Sequence, residues 1–335
     1  MAPDRPRLTV IPPRPEIFPP RPEIGANRPR GYIENYRPQS RTLQLIEQVR
    51  EILRIYGDHL PLTVRQIFYI LIGRFAHGKS DSFYKSLCEH LSNARRGGAI
   101  DFRHIRDDGV SVLQETSFAG LDQFYRYLQR QAGSYARNRL ARQSHHIEVW
   151  CEAAGMQPQL NRVAGRYHIP VYSTGGFDST TAKWNLAQRI CRVGKPAIIL
   201  HLGDFDPSGV SIFETAAEDV RAFVLADRKW LNVDVEFVRV ALTDDLIERH
   251  RLETDPHRVK SDKDYRGLNW PFNYTCQLEA LPPDVLATVL NEEIRRHLDL
   301  DLLAADIRLE GVERAEAESA LRALPAPGQS VVRDE

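Results

Sequence analysis

The sequence predicts an α/β protein with two folded units in series: a helical N-terminal unit, then a unit built on a mainly parallel sheet. Apolar residues recur at helical spacing between Thr42 and Arg95, whereas strand-like apolar runs alternate with helical stretches between His146 and Leu242. Charge divides at the same place. Residues 1–146 carry 23 Lys and Arg against 14 Asp and Glu, a net +9, and residues 147–335 carry 22 against 31, a net −9. A basic half suits a polyanion and an acidic half can hold a cation, although surface composition alone also produces such an imbalance. With 335 residues and 42% hydrophobic content, the chain can bury two cores at roughly 100–200 residues per domain.

Composition also excludes several classes. The four cysteines, Cys88, Cys151, Cys191 and Cys276, lie far apart with no CxxC pair, which argues against a zinc site or a disulfide framework. No apolar stretch approaches the ~18 residues of a membrane span. The N-terminus is proline-rich where a signal peptide would be apolar, so the expectation is a cytoplasmic protein with no membrane partner.

Residues 1–38 hold ten of the 21 prolines and a short duplication, PPRPEI at Pro12–Ile17 and again at Pro19–Ile24. Such a segment cannot pack and is expected to be a disordered or polyproline II tail, a docking ligand for a partner being the alternative. From Thr42, Leu43, Ile46, Val49 and Leu53 recur at helix spacing up to Gly57. A second helix opens at Thr63, where Thr63 and Gln66 form a capping box. A third runs from Ser80 to Arg95 with Phe83, Leu87, Leu91 and Ala94 on one face, until Gly97 and Gly98 stop it. Ala99–Ile105, AIDFRHI, then alternates like a short strand. Three helices followed by a strand-like wing resemble a winged helix-turn-helix. Residues 39–115 are therefore expected to bind double-stranded DNA, with Lys85, Ser92, Asn93 and Arg96 presented by the third helix. Three-helix modules also serve as protein–protein adaptors, and the pattern leaves that reading open.

The second helix carries the candidate nucleophile. Its core stripe is Val64, Ile67, Phe68, Leu71 and Phe75. At ~100° per residue Tyr69 falls about 120° or more from the middle of that stripe, beside Arg65 one turn earlier. A phenol with a reference pKa of ~10 needs nearby positive charge to act as a nucleophile, and Arg65 can supply it or grip the phosphate under attack. The plain alternative is an exposed amphipathic tyrosine stacked on its neighbouring arginine.

Residues 116–146 read as a basic helical connector containing Tyr125, Arg126, Arg130, Tyr135, Arg137, Arg139 and Arg142. Arg137 and Arg139 are candidates for tracking a phosphate backbone, with a solvated helix face as the alternative. Residues 147–300 form the sheet domain, with strands in HIEVWCEAAG, IPVYSTGG, PAIILHLGDFDPSG and VDVEFVRVAL, and residues 301–335 are a C-terminal helix and tail. In such sheets ligands sit beyond the carboxyl ends of the strands. Glu152 ends the first strand, and Asp204 and Asp206 end the third, two residues apart and so pointing the same way. Three carboxylates converging on one edge raise one another's pKa unless a cation sits among them; Mg2+ is the default hard ion, with Mn2+ as a substitute. Asp206 also precedes a helix starting near Ser208, so it can serve as an N-cap instead.

VWCEAAG with Glu152, and LGDFDPSG with its DxDxxG pattern, look like the two signatures of a Toprim domain. TVRQIFY resembles the catalytic-tyrosine motif of topoisomerase VI A subunits and their relatives, the meiotic double-strand-break transesterases, and CQLEALPPDVL, Cys276–Leu286, is similar to a C-terminal stretch of that family. The resemblance spans about residues 40–300 and includes the order of the parts, winged helix with tyrosine first and Toprim second; compact relatives of this kind occur in bacteria and phages. It implies a Mg2+-dependent, DNA topoisomerase type IIB-like enzyme that cleaves DNA. In it Tyr69 forms a 5′-phosphotyrosyl link, Arg65 supports it, and Glu152, Asp204 and Asp206 hold the metal, Glu152 also serving as a general acid or base. It further implies a nucleoid-associated homodimer in which the tyrosine of one protomer meets the metal of its partner. No GHKL ATPase signature is present, so strand passage needs a separate ATPase subunit, and Gln66 stands where the family more often has an acid. Three other readings stay open. One is a Toprim nuclease, like the Wadjet-type nuclease subunit, in which water attacks and Tyr69 is a bystander. Another is a haloacid-dehalogenase-like phosphatase, suggested by DFDPS with Asp244 and Asp245, although its DxD should follow the first strand of the fold. The last is a non-catalytic DNA-binding module.

Overall fold

The computed structural model describes residues 33–106, 116–173, 180–227, 233–259, 261 and 264–322. Its helical unit comprises α1 (Ser40–Ile55), the two-residue strand β1 (Leu62–Thr63), α2 (Val64–Phe75), α3 (Asp81–Arg96) and the two-residue strand β2 (Ile105–Arg106). The capping box forms as the sequence requires: the Thr63 hydroxyl accepts from Gln66 N at 3.1 Å, and the Gln66 amide oxygen accepts from Thr63 N at 3.0 Å. Ser80 caps α3 by accepting from Phe83 N, and a left-handed Ala76 closes α2. Ile46, Val49 and Ile52 of α1 meet Ile67 and Leu71 of α2 and Leu87 and Leu91 of α3 in one core. Each such side chain contributes roughly 1.5–3 kcal/mol by leaving water.

Two expectations for this unit are corrected, and a third lies partly outside the described residues. Among the described residues its only strand pairing is the parallel contact of β1 with β2, and the remainder of the expected wing, 107–115, lies outside the described residues. Phe102–His104 is a 3-10 turn instead of strand, because the Asp101 carboxylate caps it by accepting from Arg103 N at 2.8 Å. Of the expected Pro-rich tail, residues 1–32 lie outside the description. Its last residues pack: Ile33 N donates to Arg96 O at 3.0 Å, and Tyr36 lies so close over Gly97 that a Cβ there would meet its ring at 2.3 Å.

After α4 (Leu121–Gly133) the chain enters an α/β unit with strands β3 (His146–Cys151), β4 (Val171–Ser173), β5 (Ala197–Leu202) and β6 (Val235–Ala241), all parallel, in the order β4-β3-β5-β6. Helices α5 (Gln157–Ala164), α6 (Thr180–Val193) and α7 (Pro207–Asp227) are the crossovers. Alternation along the strands sends Ile147, Val149, Ile198, Leu200 and Leu202 to one face and Trp150, Ala197 and Ile199 to the other. The chain continues through α8 (Asp244–His250), β7 (Asp255–Pro256), α9 (Tyr265–Leu268), β8 (Tyr274–Thr275), α10 (Pro283–Arg296) and α11 (Leu300–Arg322). Leu286, Leu290 and Ile294 of α10 cover the first face with α5, and α6 and α7 cover the second. Both faces are therefore buried, as continuous apolar runs in parallel strands demand.

The connector is helical only over α4, and α11 packs along it. Arg137 and Arg139, expected on a phosphate backbone, are partnered within the chain instead. Arg139 reaches Glu310 with Nε at 3.2 Å and Nη2 at 2.9 Å, Arg137 pairs with Glu313, and Arg142 pairs with Asp306 at 2.9 Å. Among the described residues no helix is long and apolar enough to cross a membrane.

Candidate functional site

The carboxyl end of the sheet positions the acids. Glu152 follows β3 directly and donates its backbone N–H to Leu202 O at 3.0 Å, which places it beside the loop after β5 that carries Asp204 and Asp206. That loop is pinned on its far side. Phe205 and Cys276 exchange both backbone hydrogen bonds, at 2.8 and 2.9 Å, and Leu278 N donates to Asp204 Oδ1 at 2.8 Å. Asp206 Oδ1 accepts from Gly209 N at 2.6 Å, so it does cap α7. Beneath the loop, the guanidinium of Arg239 on β6 donates to the carbonyls of Gly203, Asp204 and Leu242.

Burial, then the charges of Asp204 and Asp206, push the Glu152 pKa up; burial and the Asp206 charge push Asp204 up, against the opposing hydrogen bond from Leu278. A fourth acid, Glu279, is raised by burial and by Asp204. The expected convergence is incomplete as placed: among the described residues no three acidic, histidine or cysteine side chains close on one point, because Asp204 and Asp206 each spend an oxygen on a backbone N–H. One observation fits a cation nonetheless. Glu152 Oε2 is buried without a hydrogen-bond partner among the described residues. Glycines also let the backbone of the acid loop and of α7 approach that oxygen closely: a Cβ at Gly203 would meet Glu152 Oε2 at 2.9 Å, and one at Gly209 would meet it at 3.3 Å and Asp204 O at 2.6 Å. These carboxylate donors suit a hard divalent ion such as Mg2+ or Mn2+.

Tyr69 is not where the helical wheel put it. It is 6% exposed, because α3 and the 277–280 segment cover the side of α2 that the three-helix pattern left open. Its hydroxyl donates to Gln277 Oε1 at 2.9 Å, and Arg65 Nη1 donates to the same oxygen at 2.8 Å. Lys79 sits 5.0 Å from the Tyr69 ring centre and pairs with Asp255 at 2.9 Å. Burial and the Asp255 charge raise the phenol's pKa, outweighing the lowering by Arg65, so at neutral pH Tyr69 rests as a neutral donor. A cavity of about 320 Å3 opens beside it, lined by Arg65, Tyr69, Lys79, Tyr84, Asp255 and Gln277.

The tyrosine and the acid loop of one chain are also linked. Buried Gln66 donates to Gln159 of α5 at 2.6 Å, and α2 packs on the 278–280 turn, so Tyr69 and Asp204 of one chain are bridged by the adjacent residues Gln277 and Leu278. On α3, Lys85 is exposed while Asn93 and Arg96 are half-buried, next to the packed Ile33–Tyr36 segment. The DxD loop follows the third sheet strand in chain order instead of the first, contrary to the phosphatase pattern.

Sequence reading missed Gln277, Glu279 and Arg239. Arg239 left a signal, the one basic residue in the run VDVEFVRVAL, whereas Gln277 and Glu279 sit in the short mixed stretch CQLEAL, which is too brief to fix an element. A scan against protein-family models gives no match for this chain, and a search of curated proteins finds none similar to it.

Proposed function

We propose that the chain is a divalent-metal-dependent DNA-cleaving protein in which Tyr69 is the nucleophile, of the Toprim and topoisomerase VI A type. The observation that carries this reading is the sheet edge itself: Glu152 ends β3, Asp204 and Asp206 follow the adjacent strand β5, and a buried Glu152 oxygen has no hydrogen-bond partner among the described residues. Glu152, Asp204 and Asp206 would hold the ion, which supplies Lewis-acid polarisation of a phosphate oxygen. Arg65 lines the cavity beside Tyr69 and would meet a DNA phosphate there; Lys79 lines it too and is paired with Asp255, so it would do so on leaving that carboxylate. The Tyr69 oxygen bonds to phosphorus as the P–O3′ bond breaks; the phenol proton passes to solvent, and Glu152 returns one to the departing 3′ oxygen. A double-strand cut takes two copies of the chain, arranged as a homodimer with two such sites. Strand passage would need a separate ATPase subunit, but cleavage would not.

A second reading has its own support. Tyr69 is buried and its hydroxyl is engaged by Gln277, which suits a nuclease that uses water. Supercoiled plasmid incubated with the protein and Mg2+ or Mn2+, then denatured with and without protease, separates the two. Tyrosine attack gives cut DNA that enters the gel only after proteolysis, and Tyr69→Phe abolishes it; water attack gives free ends and leaves Tyr69→Phe active. Full activity in an Asp204→Asn, Asp206→Asn double variant would remove the metal site from both readings.

A further inference from the structure

We propose that Gln277 is a positioning residue that holds Tyr69 and Arg65 in a resting arrangement, and that occupancy of the acidic edge by a divalent cation releases it. The proposal rests on the reading of the acids and Tyr69 given above. One carboxamide oxygen has two lone pairs, and Gln277 Oε1 uses both: Tyr69 OH at 2.9 Å and Arg65 Nη1 at 2.8 Å. In this arrangement the phenol faces the 276–279 segment, and Arg65 is turned to the same oxygen. The phenol's single proton is committed to that oxygen, and one Arg65 nitrogen with it.

The segment that carries Gln277 is tied on both sides to the acid loop. Cys276 exchanges two backbone hydrogen bonds with Phe205, and Leu278 N donates to Asp204 Oδ1 at 2.8 Å. Gln277 is the residue between these ties. Leu278 is fully buried, and its N–H has that carboxylate as acceptor; if Asp204 turns to a cation, the amide must find another partner or move. A shift there displaces Gln277, the next residue, and the Tyr69 hydroxyl loses its acceptor. The 320 Å3 cavity lined by Arg65 and Lys79 is the adjoining space into which the phenol can turn. A nucleophile would thus be held until the metal is in place, which restrains strand breakage by the unloaded protein.

The test reads Tyr69 itself, not cleavage. The full-length protein is nitrated with tetranitromethane and the rate at each tyrosine is followed by peptide mass spectrometry. Three proteins are compared: wild type, Gln277→Met, which removes the acceptor at similar volume, and Gln277→Glu, which keeps an acceptor. Without metal, Gln277→Met should nitrate about fivefold faster at Tyr69 alone, the factor equivalent to one net hydrogen bond of ~1 kcal/mol, while Gln277→Glu stays at or below wild type. Mn2+ should raise wild-type Tyr69 to the Gln277→Met rate and leave Asp204→Asn unchanged, with Mn2+ occupancy followed separately by electron paramagnetic resonance. Equal Tyr69 rates in wild type and a natively folded Gln277→Met protein overturn the positioning role, whatever the metal does. Bound Mn2+ with no change at wild-type Tyr69 overturns the coupling. Failure to bind Mn2+ overturns the coupling together with the metal reading, while the metal-free comparison still decides the role of Gln277.

Discussion

Glu152 and Asp204 sit at the sheet edge with carboxyl pKa values above their ordinary 4.5 and 3.8, chiefly through burial and then through neighbouring acids. The folded protein therefore binds these protons more tightly than the unfolded chain does. Their contribution to stability is full below the ordinary carboxyl range and is lost as pH rises through the folded values. In the presence of a chelator, Asp204→Asn, which retains an oxygen for Leu278 N, should melt above wild type at pH 7, with the gap closing near pH 4. Each kcal/mol of relieved repulsion corresponds to roughly 2–4 °C. Mg2+ should raise the melting temperature of wild type and not of the variant. A chelated wild type that melts no lower than Asp204→Asn at pH 7 would show that the carboxylates do not strain one another. The acids themselves were legible in the sequence because two motifs place them at strand ends. Gln277 was not, because its role consists of contacts to Arg65 and Tyr69, more than 200 positions away.

Elements obey local chemistry where that chemistry is self-contained. The Thr63 and Gln66 box starts α2, Ser80 starts α3, and the four apolar runs are the four parallel strands. Local reading fails where an element's surroundings decide. AIDFRHI alternates like a strand, yet Asp101 turns it into a 3-10 cap, and Tyr69 lies off its helix's apolar stripe, yet a second unit covers it. The helix after the DxD loop carries the sharpest test. Because a Cβ on Gly209 would stand 2.6 Å from Asp204 O, backbone that cannot swing away, Gly209→Ala should shift the acid loop at a cost of about 1–3 kcal/mol. Divalent-ion affinity should fall with it, measured by Mn2+ titration, whereas Gly57→Ala, where the added Cβ meets nothing within 4 Å, should leave that affinity unchanged.

Across the molecule, the basic half expected to meet DNA spends part of its charge internally. Arg137, Arg139 and Arg142 clamp Glu313, Glu310 and Asp306 of α11, binding the C-terminal helix to the connector. Arg139→Ala leaves the buried Glu310 carboxylate with one partner fewer and should lower stability by about 1–2 kcal/mol. Amide hydrogen exchange should report faster opening of α11 and no change in the β3-β5 strands. Equal exchange in both proteins would mean that the apolar packing of α11 on α4 holds it without the arginine. The net charge of +9 over residues 1–146 thus overstates the surface open to a polyanion, since three of its arginines are already neutralised from the C-terminal half.

By itself the sequence determined the α/β class, the helices of the N-terminal unit, the four apolar runs that form the sheet, and the three acids on one sheet edge. Those follow from periods of 3.6 and 2, from caps, and from the rule that parallel strands end where ligands bind. Only the tertiary structure decided that Tyr69 is buried, that Gln66 joins Gln159 between the units, that Arg239 underpins the acid loop, and that Gln277 and Leu278 link tyrosine to acid within one chain. These are contacts between residues distant in sequence, and each depends on how whole helices and sheets dock. No spacing within a short window encodes that docking.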